Sequence, residues 1–157
     1  MAKQKEQMID NSQPTVVDGT NLIAGRVCSN VAKLLRSGNR IFIVNCEKIM
    51  ISGKKSSIIK EYEDFLKIHS IIHPQHGPFH PRRPDTIIKR MIRGMLPKEK
   101  PSRKTDLARL RTYIGVPKEV KGLKKIQFEK SQITKSPSNY TSTVSYTHLT
   151  LPTKRIV

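Results

Sequence analysis

The fold is decided by residues 15–45, which read TVVDGTNLIAGRVCSNVAKLLRSGNRIFIVN. This stretch begins with a strand candidate, Thr15–Asp18, and ends with Arg40–Asn45, a β-prone run that is apolar on both faces. Between the two, apolar residues recur at helical spacing over residues 22–35, and Gly19-Thr20-Asn21 suits the preceding turn and helix cap. A strand, a helix and a strand joined by short links predict a right-handed βαβ unit.

The chain after this unit predicts a short strand, three more helices and a final strand. In chain order these elements are Ile49–Ile51, Lys54–Ser70, Asp85–Met95, Arg103–Arg111 and Thr112–Ile114. Pro84 suits the first turn of the Asp85–Met95 helix, and the predicted core face of that helix is Ile87, Ile88, Met91, Ile92 and Met95. Residues 73–84 contain four prolines and a glycine, so they predict a loop that is ordered by itself or by a partner.

The composition of the chain divides it into three parts. We expect a flexible N-terminal arm over residues 1–14, an α/β domain over residues 15–117, and a basic C-terminal tail without clear periodicity over residues 118–157. The residues from Val144 onward are rich in Thr and almost free of acids. Because this composition differs from the rest, we expect a C-terminus that is non-native at its end.

The charge of the chain indicates a polyanionic partner. Its 157 residues include 30 Lys and Arg against 12 Asp and Glu, a formal net charge of +18, which makes nucleic acid the default partner. A membrane surface is the alternative, but it would require an amphipathic basic helix or a lipidation signal, and the sequence shows no convincing case of either. With no signal peptide, no spanning apolar run and only Cys28 and Cys46, the sequence predicts an intracellular protein of a reducing compartment with no membrane partner.

The densest basic region runs from Arg82 to Arg111, where eleven Lys or Arg residues stand against three acids. Neutralising phosphates requires many cations, and Arg suits bidentate phosphate contacts and stacking on exposed bases. We interpret this region as an RNA-binding surface, with a solvated face that only maintains solubility as the alternative. Gly53-Lys54-Lys55 is a second candidate, because a glycine at a helix start offers backbone N–H groups to an anion; a simple turn with solvated lysines explains it equally well.

The sequence contains no constellation that supports enzyme chemistry. His69, His73, His76 and His80 lie close together, but the cysteines are far away and the prolines prevent the helical spacing of zinc ligands, so we interpret the histidines as RNA contacts. The glycines at positions 19 and 25 are spaced wrongly for a phosphate loop, and the scattered acids form no catalytic pair. We therefore expect no enzyme activity, no metal, no cofactor and no small-molecule substrate.

Several strings of the sequence resemble the universal large-subunit ribosomal protein thirteen family. In chain order they are VD at 17–18, LIAGR at 22–26, VA at 31–32 with Leu35, IVNCEKI at 43–49, ISGKK at 51–55, GPFH at 77–80, RGMLP at 93–97 and LRTYIGVP at 110–117. The string RGMLP is the most distinctive of them. GPFH, together with Arg82 and Pro84, resembles the eukaryotic form of the family. That form usually continues into a long helical C-terminal extension, which residues 118–139 match only faintly. The resemblance therefore implies a truncated C-terminal tail, with a reduced eukaryotic lineage as the alternative explanation.

This resemblance implies a fold, a function and a place in the cell. The fold would be a three-layer α/β/α domain with a small, mainly parallel sheet, plus basic loops and extended tails. The function would be that of a structural constituent of the large ribosomal subunit, which binds ribosomal RNA, contacts neighbouring ribosomal proteins and supports subunit assembly and translation. The protein would act in the cytoplasm after assembly in the nucleus and nucleolus. An extraribosomal regulator that binds messenger RNA and an RNA-processing enzyme are the alternatives.

Sixteen residues are the candidate RNA contacts. The resemblance implies five of them, Arg93, Lys54, Lys55, His80 and Arg82. The histidine cluster supplies His76, and the charge pattern supplies the others. The full set is Arg26, Lys54, Lys55, His76, His80, Arg82, Arg83, Lys89, Arg90, Arg93, Lys98, Lys100, Arg103, Lys104, Arg109 and Arg111.

Overall fold

The structure is a computed structural model that describes residues 14–73, 76–134 and 136–145. Most of the predicted N-terminal arm and the end of the predicted tail lie outside these residues. The described helices are α1 (Ala24–Arg36), α2 (Lys55–Lys67), α3 (Pro84–Met95) and α4 (Ser102–Ala108). The described strands are β1 (Thr15–Asp18), β2 (Ile41–Val44), β3 (Met50–Ser52), β4 (Leu110–Thr112), β5 (Lys125–Ile126) and β6 (Tyr140–Ser142).

The central sheet has the strand order β4-β2-β1-β5, and its three pairings are all parallel. Strand β2 lies beside β1 with Val17 opposite Ile43, and α1 connects these two strands. The βαβ arrangement predicted from residues 15–45 is therefore present as two adjacent parallel strands joined by a helix. Strands β3 and β6 form a separate antiparallel pair in which Ile51 lies opposite Thr141.

The two faces of the central sheet bury different sets of side chains. On one face, Val17, Ile41 and Ile43 belong to a buried cluster that includes residues of α1 and α3, such as Val31 and Ile88. Burial of each such side chain contributes about 1.5–3 kcal/mol. Successive side chains of a strand point to opposite faces of the sheet, so the residues next to these three face the other side.

The second face of the sheet buries Val16 and Val44 against Val120. Val120 belongs to the 3₁₀ turn Lys118–Val120, and Phe42 and Tyr113 pack against the same cluster with their rings edge to face. The expected α/β class with a small, mainly parallel sheet is confirmed. In the described residues, the layer on this second face is a 3₁₀ turn with its flanking chain, whereas the layer on the first face is helical.

The predicted turn at residues 19–21 is present, with the Leu22 N–H donating to the Gly19 carbonyl at 3.3 Å, but the predicted helix cap there is wrong in position. Helix α1 begins at Ala24, and Ile23 at its N-cap makes no side-chain capping bond. Leu22 and Ile23 are held in extended backbone instead, because the Leu22 carbonyl accepts from the Met50 N–H and the Ile23 N–H donates to Ser131. These partners are distant in sequence, and they override the local capping signal of residues 19–21.

Some predicted boundaries and one predicted core residue also need correction. Helix α2 ends at Lys67 rather than near Ser70. Met95 is 45% exposed, whereas Leu96 just after α3 is 2% exposed and takes the predicted place of Met95 in the core. The last helix and strand both lie earlier than predicted, because Leu110 pairs with Ile41 and must belong to β4.

The sequence predicts no strand after Pro117, yet the structure has two. Strand β5 pairs with β1 through Val17 and Ile126, and β6 pairs with β3. Both strands are too short to show periodicity in a sequence, so only their distant partners identify them. The division of the chain into arm, domain and tail stays a prediction.

Candidate nucleic-acid interface

A concave surface of about 740 Å³ lies between α3, α4 and the loop before α3. We call it the basic groove. Its described lining includes seven Lys and Arg residues and one acid, Glu99. The seven are Lys89, Arg90, Arg93, Lys98, Lys100, Arg103 and Lys104. All seven are candidate contacts from the sequence, so the fold brings this part of the prediction together in one place.

The helical period of α3 explains why its cations face the groove. Ile88 and Ile92 are fully buried on the core side of α3, which leaves Lys89, Arg90 and Arg93 on its exposed side. Positions three and four residues apart lie on the same helix face. The groove therefore receives a row of charges from α3 that α3 does not neutralise with its own acids.

Arg103 joins the two helices of the groove. Its Nη2 donates to the Arg93 carbonyl at 3.1 Å, near the C-terminal end of α3, where a cation interacts favourably with the helix dipole. The Arg103 Nε is buried without a hydrogen-bond partner among the described residues. Arg103 therefore adds charge to the groove while it fixes α4 against α3.

Two of the predicted contacts hold the loop before α3 in place. The Arg90 guanidinium lies 5.4 Å from the centre of the Phe65 ring and donates to the Phe79 carbonyl. His80 donates from Nε2 to the Ile68 carbonyl at 2.6 Å and meets the Phe65 ring edge to face. Arg90 and His80 therefore help to hold this loop, and their predicted contacts with RNA stay predictions.

Tyr62 gives the same loop a further anchor. Its hydroxyl donates to the carbonyl of Pro81. Burial raises the pKa of Tyr62, although Arg82 and Arg90 act to lower it, so the phenol keeps its proton as a donor. Helices α2 and α3 therefore hold the backbone of residues 79–81 from both sides.

The Lys54 and Lys55 candidates lie at the start of α2, away from the lining of the basic groove. Both side chains are exposed. The N–H of Gly53, however, donates to the Asn139 carbonyl at 2.8 Å, so this donor is already used within the protein. The sequence leaves two interpretations open here, an anion site and a simple turn. In the structure the Lys54 and Lys55 side chains are available to an anion, whereas the Gly53 N–H is not.

The other candidates are distributed over the surface. Arg26 donates to the Lys130 carbonyl at 3.1 Å and lines a shallow groove of about 360 Å³. Arg83 forms an ion pair with Asp85 at 3.1 Å, and Arg109 forms one with Asp106 at 3.6 Å. The remaining candidates are Arg82 in the loop before α3, Arg111 on β4 and His76, whose ring centre lies 5.2 Å from that of His73.

Two lining residues are absent from the contact set that the sequence predicts. Lys130 lines the shallow groove beside Arg26, and Phe79 lines the basic groove. Lys130 lies beside Arg26 only because residues 129–131 pack near α1, a distant contact that no local pattern shows. Phe79 appears in the sequence only as part of the GPFH string. An aromatic residue inside a proline-rich basic loop is a signal that could have identified it.

The buried polar groups near the sheet serve the fold. Burial acts to raise the pKa of Asp18, but hydrogen bonds from Asn45 and Thr20 outweigh it and hold that pKa below its usual value. Burial raises the pKa of Cys28 and of Cys46 to about 12, so both thiols are protonated near neutral pH. Both cysteines are fully buried and act as small core residues.

Two further predictions concern metal ions and membranes. Within residues 14–73, 76–134 and 136–145, no group of three or more His, Cys, Asp or Glu side chains is placed to hold a metal ion. Over the same residues, no helix has the length and apolar character required to cross a membrane.

Comparison with known proteins finds a matching family model and relatives that share one name. A family model described as Ribosomal protein L13 matches residues 12–119. A protein of Methanococcoides burtonii named Large ribosomal subunit protein uL13 is 42% identical over 125 residues, which cover 80% of this chain and 88% of the relative. The protein of the same name from Sulfolobus acidocaldarius is 35% identical over 143 residues, covering 90% and 96%. That from Methanosarcina barkeri is 46% identical over 108 residues, covering 68% and 75%.

Proposed function

The chain belongs to the ribosomal protein L13 family, and from this premise we propose that it is a structural constituent of the large ribosomal subunit. Its partner is the RNA of that subunit, and neighbouring ribosomal proteins complete its surroundings. The relatives named above carry the large ribosomal subunit in their names. This function requires a surface for phosphates rather than a reactive centre.

The basic groove is the observation that carries the proposal. Its seven cations are opposed by one acid among the described lining residues, so phosphates are needed to neutralise it. Each phosphate that a Lys or Arg neutralises releases counterions, which supplies affinity without reading sequence. The α/β core beneath α3 holds these cations at fixed positions, which lets the shape of a folded RNA determine where the protein binds.

The candidate contacts take different roles in this proposal. The seven groove cations contact phosphates directly, and Arg90, together with His80, also holds the loop that forms one wall. The exposed Lys54 and Lys55 offer a second contact region at the start of α2. The same proposal retains the peripheral candidates as contacts on other sides of the protein, namely Arg26, His76, Arg82, Arg83, Arg109 and Arg111.

The finer features of the proposal concern origin, cell compartment and domain division. We infer a eukaryotic form from the strings GPFH at 77–80 and RRP at 82–84, with assembly in the nucleus and nucleolus before work in the cytoplasm. The three relatives named above are archaeal and support the family rather than this detail. We further propose a flexible arm, an α/β domain and a basic tail, and a role without catalysis, cofactor, membrane partner or small-molecule substrate.

The proposal is tested by neutralising three cations of the groove. A variant with Arg93→Gln, Lys100→Gln and Lys104→Gln should bind large-subunit ribosomal RNA about tenfold more weakly or worse, with a salt slope smaller by about 2–3, because each lost phosphate contact removes about one released counterion. The matched control is Lys33→Gln, Lys60→Gln and Lys121→Gln, which changes the net charge equally at exposed positions outside the groove lining. Filter binding over a salt series measures both slopes. Equal losses in the two variants would show that net charge alone matters and would contradict the groove.

A further inference from the structure

Phe79 presents an exposed aromatic ring on a fixed backbone. Its side chain is 78% exposed, yet its carbonyl accepts from Arg90 and the carbonyl of Pro81 accepts from Tyr62. Between these anchors, His80 donates to the Ile68 carbonyl. A ring displayed from a backbone that is already ordered loses little conformational freedom when it binds something.

Gly94 lies beside this ring at a position where the fold gives no reason for glycine. It belongs to α3, and its φ is not positive. A Cβ built on it would meet no described heavy atom within 4 Å, outside the backbone of its own helix. Glycine costs up to about 1 kcal/mol relative to alanine, the full value applying in a helix interior, and Gly94 is the second-to-last residue of α3. Packing among the described residues does not offset whatever cost remains. A close approach by another molecule would offset it.

The ring and the glycine share one hollow. Its volume is about 370 Å³, and its described lining is Phe79, Arg90, Arg93, Gly94 and Arg103. This volume lies within the range of small-molecule sites. The hollow is the end of the basic groove at which an aromatic surface, an uncovered helix backbone and three guanidinium groups meet.

We propose that this hollow binds one unpaired nucleotide of RNA. The base stacks on the Phe79 ring, and the phosphate lies against Gly94 between Arg93 and Arg103. The nucleotide has to be unpaired, because the faces of paired bases are covered by their neighbours and cannot stack on a side chain. This inference rests on the proposed function, since it names the kind of RNA element that one end of the basic groove binds.

Charge favours RNA over a protein partner for this hollow. Three arginines line the hollow together with the ring, and the one acid of the described groove lining, Glu99, is not among the described residues of the hollow. An apolar protein segment would have to bury guanidinium groups without compensation. A phosphate compensates them with charge-assisted hydrogen bonds.

The test uses the full chain and two RNA probes. The first is an oligouridylate of about ten nucleotides that carries a single 2-aminopurine, and the second is an RNA duplex of the same length. Phe79→Ala should weaken binding of the single strand by about five- to hundredfold and abolish the quenching of 2-aminopurine fluorescence, because base–aromatic stacking is lost. Phe79→Tyr should retain both. Binding of the duplex should change less than about twofold.

Gly94→Ala gives a second, independent measurement. The added methyl group should raise the thermal unfolding temperature, because alanine favours the helix, and should lower the affinity for the single strand, because it occupies the place of the phosphate. Gly25→Ala is the matched control, since Gly25 also lies in a helix with no described heavy atom within 4 Å of an added Cβ. Because Gly25 lines the shallow groove beside Arg26 and not the hollow, this control should leave the quenching of 2-aminopurine unchanged.

The outcomes separate this inference from the proposed function. If Phe79→Ala and Gly94→Ala bind and quench like the unchanged protein while the triple groove variant loses both probes, the hollow is not a nucleotide site and the groove stands. If the triple variant also binds normally, the proposed function fails as well. A Phe79 ring that crosslinks to a neighbouring ribosomal protein instead of RNA in the intact particle would likewise overturn the inference.

Discussion

Gly19 shows how tightly the fold is packed at a single residue. It follows β1, and its N–H donates to the Val44 carbonyl at 3.0 Å. A Cβ at this position would lie 2.6 Å from Cγ1 of Ile49 and 3.1 Å from the Val44 carbonyl oxygen. Ile49 is itself fully buried and belongs to the main core cluster, so it has little room to move. The need for glycine here is steric, and it arises from a residue thirty positions away.

Gly19→Ala is therefore expected to destabilise the protein. The methyl group forces Ile49 or the backbone of β2 to shift, which costs about 1–3 kcal/mol in free energy of unfolding. Urea denaturation measures the loss, with Gly25→Ala as the control that should not destabilise, because a Cβ added there meets no described heavy atom within 4 Å. An alanine at position 19 that leaves the unfolding midpoint unchanged would mean that Ile49 relaxes without cost.

Thr143 shows how the chain after Pro117 is joined to the core. It follows β6, and its hydroxyl donates to the Cys46 carbonyl at 2.7 Å while its N–H donates to Ile49 at 3.1 Å. Its side chain is fully buried. This pairing continues the antiparallel contact between β3 and β6, so the described part of the predicted tail contributes to the stability of the domain.

Thr143→Val tests the contribution of this pair. Valine keeps the shape of threonine but leaves the buried Cys46 carbonyl without its short hydrogen bond, which should cost about 1–3 kcal/mol in free energy of unfolding. Thr134→Val, at an exposed position, is the control and should change stability by less than about 0.5 kcal/mol. Equal unfolding midpoints for the two variants would indicate that residues after Ser136 do not stabilise the core.

The elements differ in how well local sequence predicts them. The sequence predicts β1 correctly, and it predicts β2, α1 and α3 to within a few residues. The spacing of the apolar residues within each of these elements is regular, so local sequence is enough to identify them. It misplaces the start of α1 and misses β5 and β6. These features depend on bonds from residues 22–23 to Met50 and Ser131, from β1 to β5 and from β3 to β6. Local propensity carries no information about such distant partners.

The candidate RNA interface, too, can be predicted only in part from local sequence. Charge counts predict that the region from Arg82 to Arg111 binds phosphate, and the fold gathers seven of its cations into one groove. Charge counts cannot show that Arg90 is turned towards Phe65 and Phe79, or that Arg103 joins two helices. Those roles depend on side-chain geometry that appears only when α2, α3 and α4 pack together.

The net charge of +18 matters for the claim that the protein is a structural constituent of the ribosome. An isolated protein of this charge would bind any polyanion, and its binding would weaken steeply with salt. A constituent of the ribosome is held in addition by the shape of the RNA and by neighbouring proteins. Resistance to salt therefore distinguishes a structural constituent from a protein attached by charge alone.

The most direct measurement is the sedimentation of a cell lysate through sucrose at moderate and high salt, with the protein detected in each fraction. As a structural constituent, the protein should migrate with large subunits and whole ribosomes and should remain there at about 0.5 M salt, a concentration at which purely electrostatic binding is largely lost. Release into the light fractions at that salt would contradict the claim and would favour a peripheral RNA-binding protein.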